Sequence, residues 1–117
     1  MSEKTLHMTM LFDFFGELLT EKQRDYFDLY YNEDLSLAEI AEQFGISRQG
    51  VRDNLMRAES ALQEYEEKTG LVARFARRYQ DITRAEEIIA RLQKESVTEE
   101  TSSGLRELAA LLESMKG

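Results

Sequence analysis

The chain has no cysteine, no proline and no tryptophan, and histidine occurs once, at His7. Each scarcity removes a class of function. Without Cys there is no disulfide framework, no thiolate nucleophile and no Cys-ligated zinc. A lone His excludes the usual multi-histidine metal sites, and His7, near the terminus, is expected to be exposed and idle. No apolar run approaches the ~20 residues of a membrane span. No basic segment precedes an apolar one in the manner of a secretory signal. There is no glycine-rich phosphate loop, no nucleophile beside a base and no metal constellation. The expectation is a cytoplasmic protein that is not an enzyme and has no cofactor.

What is there suits helices around a modest core. A length of 117 residues fits one domain, or one domain with an appendage. The apolar share of 42% is too high for a disordered chain, although 32% is charged. Net charge is −8, from 15 Lys+Arg against 23 Asp+Glu. It is unevenly spread: residues 1–69 hold 7 basic and 15 acidic side chains, residues 70–117 hold 8 of each. The acidity lies in the N-terminal half and opposes approach to a polyanion.

Apolar residues recur at helical rather than strand spacing, so the predicted class is all-α. Leu11, Phe14, Phe15, Leu18 and Leu19 place a first helix over about Thr5 to Leu19. Thr20 with Gln23 forms a capping box that opens a second helix carrying Tyr26, Phe27, Leu29, Tyr30 and Tyr31. These aromatics, with Phe44, are expected in the core, although exposed rings could instead stack on bases. Asn32-Glu33-Asp34 is a polar turn without the spacing of a calcium loop. Ser36 with Glu39 is a second capping box, for a short helix ending at Gly45. Ser47 caps a long helix with Val51, Leu55, Ala58, Leu62 and Tyr65 on one face, and Gly70 is its left-handed terminator. A fifth helix carries Leu71, Phe75, Tyr79, Ile82, Ile89 and Leu92. Glu95–Ser103 is predicted as a polar linker, and Leu105, Leu108, Leu111, Leu112 and Met115 mark a last amphipathic helix. The predicted domains are a helix-turn-helix domain over residues 1–69 and a C-terminal helical extension over 70–117.

The most specific stretch is Leu37–Leu55, a helix-turn-helix. Ala41 is small where two helices cross, and Gly45 sits where the turn needs positive φ. Ile40, Phe44, Ile46, Val51 and Leu55 are expected to face inward. Ser47 starts the second helix, whose first turns meet base edges or phosphates in nucleic-acid-binding members of this motif class. Its outward face holds Gln49, Asp53, Met56 and Arg57, flanked by Arg48 and Arg52. Arg and Gln suit bidentate base reading, and Arg also pairs with phosphate, whereas Asp53 repels phosphates. The candidate nucleic-acid-binding residues are therefore Ser47, Arg48, Gln49, Arg52 and Arg57. On the fifth helix Arg77, Arg84 and Arg91 form a ridge opposite the apolar stripe. It can follow a folded RNA or be neutralised by Asp81, Glu87 and Glu95 at i, i+3 and i, i+4, and the neutralised reading is preferred.

Leu19–Arg24, Tyr26–Tyr31 and Ser36–Ser47 resemble the promoter-reading C-terminal domain of sigma factors. A complete sigma factor is not expected, because nothing in the chain corresponds to the further domain that binds core polymerase. The chain more closely resembles the YlxM family of small helix-turn-helix proteins. The resemblance rests on Leu11-Phe-Asp-Phe14, Ser47-Arg-Gln-Gly-Val51, Asp53-Asn54 and Lys68-Thr-Gly-Leu-Val72 and covers about residues 6–95. It implies a sigma-factor-like helix-turn-helix bundle and a regulatory or accessory role in the signal recognition particle pathway. The implied partners are the particle's protein, its RNA, or both. Two other readings stand beside it: a transcriptional regulator that binds DNA, and a helical protein-interaction module. DNA binding is expected to be weak. Apolar side chains over residues 71–115 exceed what a helix-turn-helix unit can cover, so a homodimer through these helices is expected, the alternative being that they fold back onto their own chain and cover the same surface.

Overall fold

A computed structural model describes residues 2–96 and 98–116. Among the described residues there are α-helices and no strand, so the fold is all-α. The helices are α1 (Glu3–Phe15), α2 (Glu21–Phe27), α3 (Leu37–Phe44), α4 (Arg48–Thr69), α5 (Leu71–Glu95) and α6 (Glu99–Met115). The chain divides into two compact units, Met1–Val72 and Ala73–Gly117.

The first unit is organised by its caps. Thr20 Oγ1 accepts from the Gln23 backbone N–H while the Gln23 side chain accepts from the Thr20 N–H. Ser36 and Glu39 make the same reciprocal pair at α3. Each such cap contributes about 1 kcal/mol to fixing where its helix begins. Gly45, at φ 67°, ends α3 and turns the chain into α4, while Gly70, at φ 62°, ends α4. The core behind these turns joins Met8, Leu11 and Phe15 of α1 to Tyr26 and Phe27, Ile40 and Ala41, and Val51, Leu55, Ala58 and Leu62 of α4.

Several boundaries differ from expectation. The first helix stops at Phe15, and Gly16–Leu18 forms a 3-10 turn. Leu18 faces solvent, whereas Leu19, in extended conformation, returns to the core. The second helix is regular only to Phe27; Asp28–Asn32 winds as a π-turn. Its wider winding accompanies a three-ring stack. The Phe27 ring lies 4.5 Å from that of Phe12 and 4.4 Å from that of Tyr31. The turn closes through Asp34, at φ 60°. Phe44 and Ile46 do not face inward: they are 38% and 39% exposed. Phe44 meets Tyr26 edge-on at 4.9 Å with its outer side uncovered, and Ile46 lies in the turn between α3 and α4.

In the second unit Ile82 and Ile89 are buried, but Phe75, Tyr79 and Leu92 of the expected apolar stripe remain exposed. The linker expected over Glu95–Ser103 is helical at Glu95, the end of α5, and again from Glu99, where α6 begins. Thr98 caps α6 by accepting from the Thr101 N–H, and Glu99 and Glu100 occupy the first turn, where the helix dipole favours acids. Near the other end of α6, Lys116 Nζ lies 2.7 Å from Glu86 of α5 and sits over the Tyr79 ring. The Glu86 carboxyl is held below the usual carboxylate range by this hydrogen bond. Among the described residues no helix is long and apolar enough to cross a membrane.

Candidate nucleic-acid interface

The helix-turn-helix assembles as the spacing requires. Ala41 is buried where α3 approaches α4, and the Gly45 and Ile46 backbone N–H groups both close onto the Ala41 carbonyl. Ser47 Oγ accepts from the Gly50 N–H at 3.0 Å, which fixes the start of α4. A side chain on Gly50 would press on that cap, because a Cβ there meets Ser47 Oγ at 3.2 Å. Asn54 donates to the Gly50 carbonyl at 2.9 Å and braces the same turn from within the helix.

Four of the five candidate contact residues are exposed positions in the first turns of α4, and Ser47 precedes them as its N-cap. Ser47 is already engaged as the cap. Gln49 donates through Nε2 to Asp53 Oδ1 at 2.9 Å, so its amide N–H is partly occupied and Asp53 is partly masked. Arg48, Arg52 and Arg57 are exposed. Among the described residues none of the three is joined to an acidic side chain. Uncompensated guanidiniums on a rigid helix can pair with phosphate without first breaking an internal bond. They are also few, and the surrounding unit is acidic.

The ridge of α5 is less neutralised than its spacing suggests. Of the three pairs expected there, only Arg84 with Glu87 forms, at 3.4 Å, among the described residues. Such an exposed pair contributes little to stability.

One element was not among the sequence expectations. Tyr31 Oη donates to Glu59 Oε1, tying the π-turn to the outer edge of α4, and Lys4 Nζ lies 3.9 Å from the same oxygen. Burial first, and the Glu59 carboxylate second, raise the Tyr31 phenol above its ordinary value of 10.0. The folded state therefore favours the protonated phenol. Its contribution to stability is complete below pH 10 and declines as the pH rises further. Tyr31→Phe is expected to cost about 1.5 kcal/mol at neutral pH, the lower range for a hydrogen bond to a charged group. Urea unfolding should show the gap between wild type and variant narrowing above pH 10; a gap that is pH-independent would contradict this account.

Between this tie and the helix-turn-helix lies a cleft of about 370 Å³ lined by Lys4, Tyr30, Leu37, Arg52, Met56 and Glu59, among others. A neighbouring hollow is lined by Leu37, Arg48, Gln49 and Arg52. Tyr30 does not belong to the core as its spacing suggests: it is 38% exposed.

A sequence profile of the UPF0122 family, described as "putative helix-turn-helix protein, YlxM / p13 like", matches residues 2–104. A UPF0122 protein of Halalkalibacterium halodurans is 52% identical over 115 residues, covering 98% of this chain and 96% of that protein. One of Bacillus cereus strain AH187 is 50% identical over 100 residues, covering 86% and 89%. One of Geobacillus kaustophilus is 53% identical over 91 residues, covering 78% and 83%.

Proposed function

The chain belongs to the UPF0122 family of YlxM/p13-like helix-turn-helix proteins, and from that premise we propose that it is a non-enzymatic regulatory protein acting on the signal recognition particle pathway. Its helix-turn-helix makes the nucleic-acid contact, through Ser47, Arg48, Gln49, Arg52 and Arg57. The observation that carries this reading is the set of three exposed arginines on α4 without acidic partners. The pathway rests on the resemblance to YlxM proteins. The partners are the particle's RNA and protein. Duplex DNA is a weak ligand, because a net charge of −8 opposes any polyanion and three cations give a plain duplex few phosphate contacts; the affinity for the particle comes from its protein and from the fold of its RNA.

Fluorescence anisotropy tests the reading with labelled signal recognition particle RNA, with and without the particle's protein, beside a random DNA duplex. Tighter binding to the RNA or to the protein–RNA complex is expected. Tighter binding to duplex DNA would favour a transcriptional regulator. Binding to the particle's protein alone would favour a protein-interaction module.

The active form is proposed to be a homodimer through residues 71–115. Leu108, Leu111 and Met115 of α6 are about half exposed, and helix-turn-helix proteins often pair so that two recognition helices address successive grooves. Light scattering is expected to give twice the chain mass of 13.6 kDa; a monomer at micromolar concentration would contradict it.

A further inference from the structure

We propose that the cleft between the π-turn and α4 is a pocket for one unpaired nucleotide, its base lying against Tyr30 and Met56 and its phosphate at Arg52. This deepens the function proposed above, on which it rests, by naming the form of nucleic acid that the helix-turn-helix takes.

Two side chains of the cleft are unusual for a structural role. Tyr30 is 38% exposed and Met56 52% exposed, yet they line the same cleft. Tyr30 is held in place by an edge-on contact with the Tyr31 ring at 5.1 Å, and Tyr31 is anchored to Glu59. The platform is thus fixed before any ligand arrives, which lowers the ordering cost of binding. A volume of about 370 Å³ lies within the range of small-ligand sites. Leu37 and Arg52 also line the adjoining hollow with Arg48 and Gln49, so the strand has a cationic exit along α4.

The polar groups sort the ligand. Glu59 Oε1 is occupied by the Tyr31 hydroxyl and faces Lys4. Its other oxygen has no partner among the described residues and can accept an N–H from a base edge. A base inside a duplex is stacked on both faces and has its pairing edge engaged, so it offers neither feature. An unpaired base offers both. The small number of cations points the same way: a long phosphate track needs many, whereas stacking one base adds affinity that does not depend on how many cations there are. Stacking on a single aromatic ring changes affinity by about 5- to 150-fold.

The test uses the full chain and three labelled probes followed by anisotropy: an RNA hairpin with an unpaired loop, a DNA hairpin of the same sequence, and a blunt RNA duplex. The RNA hairpin is expected to bind at least about tenfold tighter than the duplex. Tyr30→Ala should weaken the hairpin about fivefold or more and leave the duplex unchanged, whereas Arg52→Gln should weaken both. The chain has no tryptophan, so Tyr30→Trp supplies a single reporter in the cleft. It should keep hairpin affinity and be quenched by hairpin but not by duplex. Equal binding of the two hairpins would assign any unpaired strand as the ligand, and a preference for RNA would assign contact with the 2′-hydroxyl. Hairpin affinity indifferent to Tyr30→Ala, or an unquenched Tyr30→Trp, overturns the pocket. If Arg52→Gln still weakens binding in that case, the helix-turn-helix reading stands without the pocket. If no probe and no signal recognition particle RNA binds, both fall.

Discussion

Phe27→Ala is expected to destabilise the first unit by about 3–5 kcal/mol, the range for truncating a fully buried Phe. Phe27 has no exposed surface, and it is the middle ring of the Phe12–Phe27–Tyr31 stack. Its loss leaves a cavity and also frees Tyr31, whose hydroxyl ties the π-turn to Glu59 on α4. Small domains hold only about 5–15 kcal/mol in all, so the variant should be partly unfolded at moderate temperature. Phe27→Leu keeps most of the volume and should cost less than half as much, because cavity and transfer contributions both shrink. Urea unfolding followed by circular dichroism measures both. A loss below about 1 kcal/mol for Phe27→Ala would show that the stack can collapse onto the vacated space.

The elements that fix the helix-turn-helix were legible because each rests on local chemistry. Thr20 with Gln23, Ser36 with Glu39, and Ser47 are caps formed by residues three apart. Gly45 and Gly70 mark left-handed turns that other side chains resist. The errors arise where apolar period stands in for geometry. Leu18 and Leu19 continue the period of α1, but the helix has already tightened at Gly16. A π-turn inserts a residue without any compositional trace, so Asp28–Asn32 read as ordinary helix. Serine and threonine in 96–103 read as linker, although Thr98 with two following acids is itself a helix-start signature.

The candidate interface was legible in part, and for the same reason. Arg48, Arg52 and Arg57 follow from their positions on a correctly started helix. Their lack of partners does not, because pairing depends on what other elements bring near. The Gln49–Asp53 bond was within reach of an i, i+4 argument. The Tyr31–Glu59 tie joins residues 28 positions apart and has no local signal. Tyr30 shares its helical spacing with Phe27 and Tyr31, and only the fold separates the covered rings from the open one.

Replacing Arg52 and Arg57 together by Glu is expected to abolish nucleic-acid binding, with a loss of at least about 100-fold. Each substitution changes the charge by two, so the net charge falls from −8 to −12. The change falls where only three uncompensated guanidiniums stand against Asp53. Removing each arginine–phosphate pair should also lower the slope of log affinity against log salt by about 0.9 on a duplex, or about 0.7 on a single strand. Folding should survive. Both side chains are exposed, neither has an ion pair to lose among the described residues, and Glu is a good helix former. Thermal unfolding within a few degrees of wild type would confirm that binding fails at the interface and not through the fold. For wild type, the acidic background should hold random duplex DNA to weaker binding than the ~10⁻⁴–10⁻⁶ M usual for dedicated binders at physiological salt. Sub-micromolar binding of that duplex, sensitive to the double change, would replace the signal recognition particle reading with a transcriptional one. RNA affinity indifferent to the double change would remove α4 from the interface. Retained binding to the particle's protein alongside abolished RNA binding would place the two partners on different surfaces.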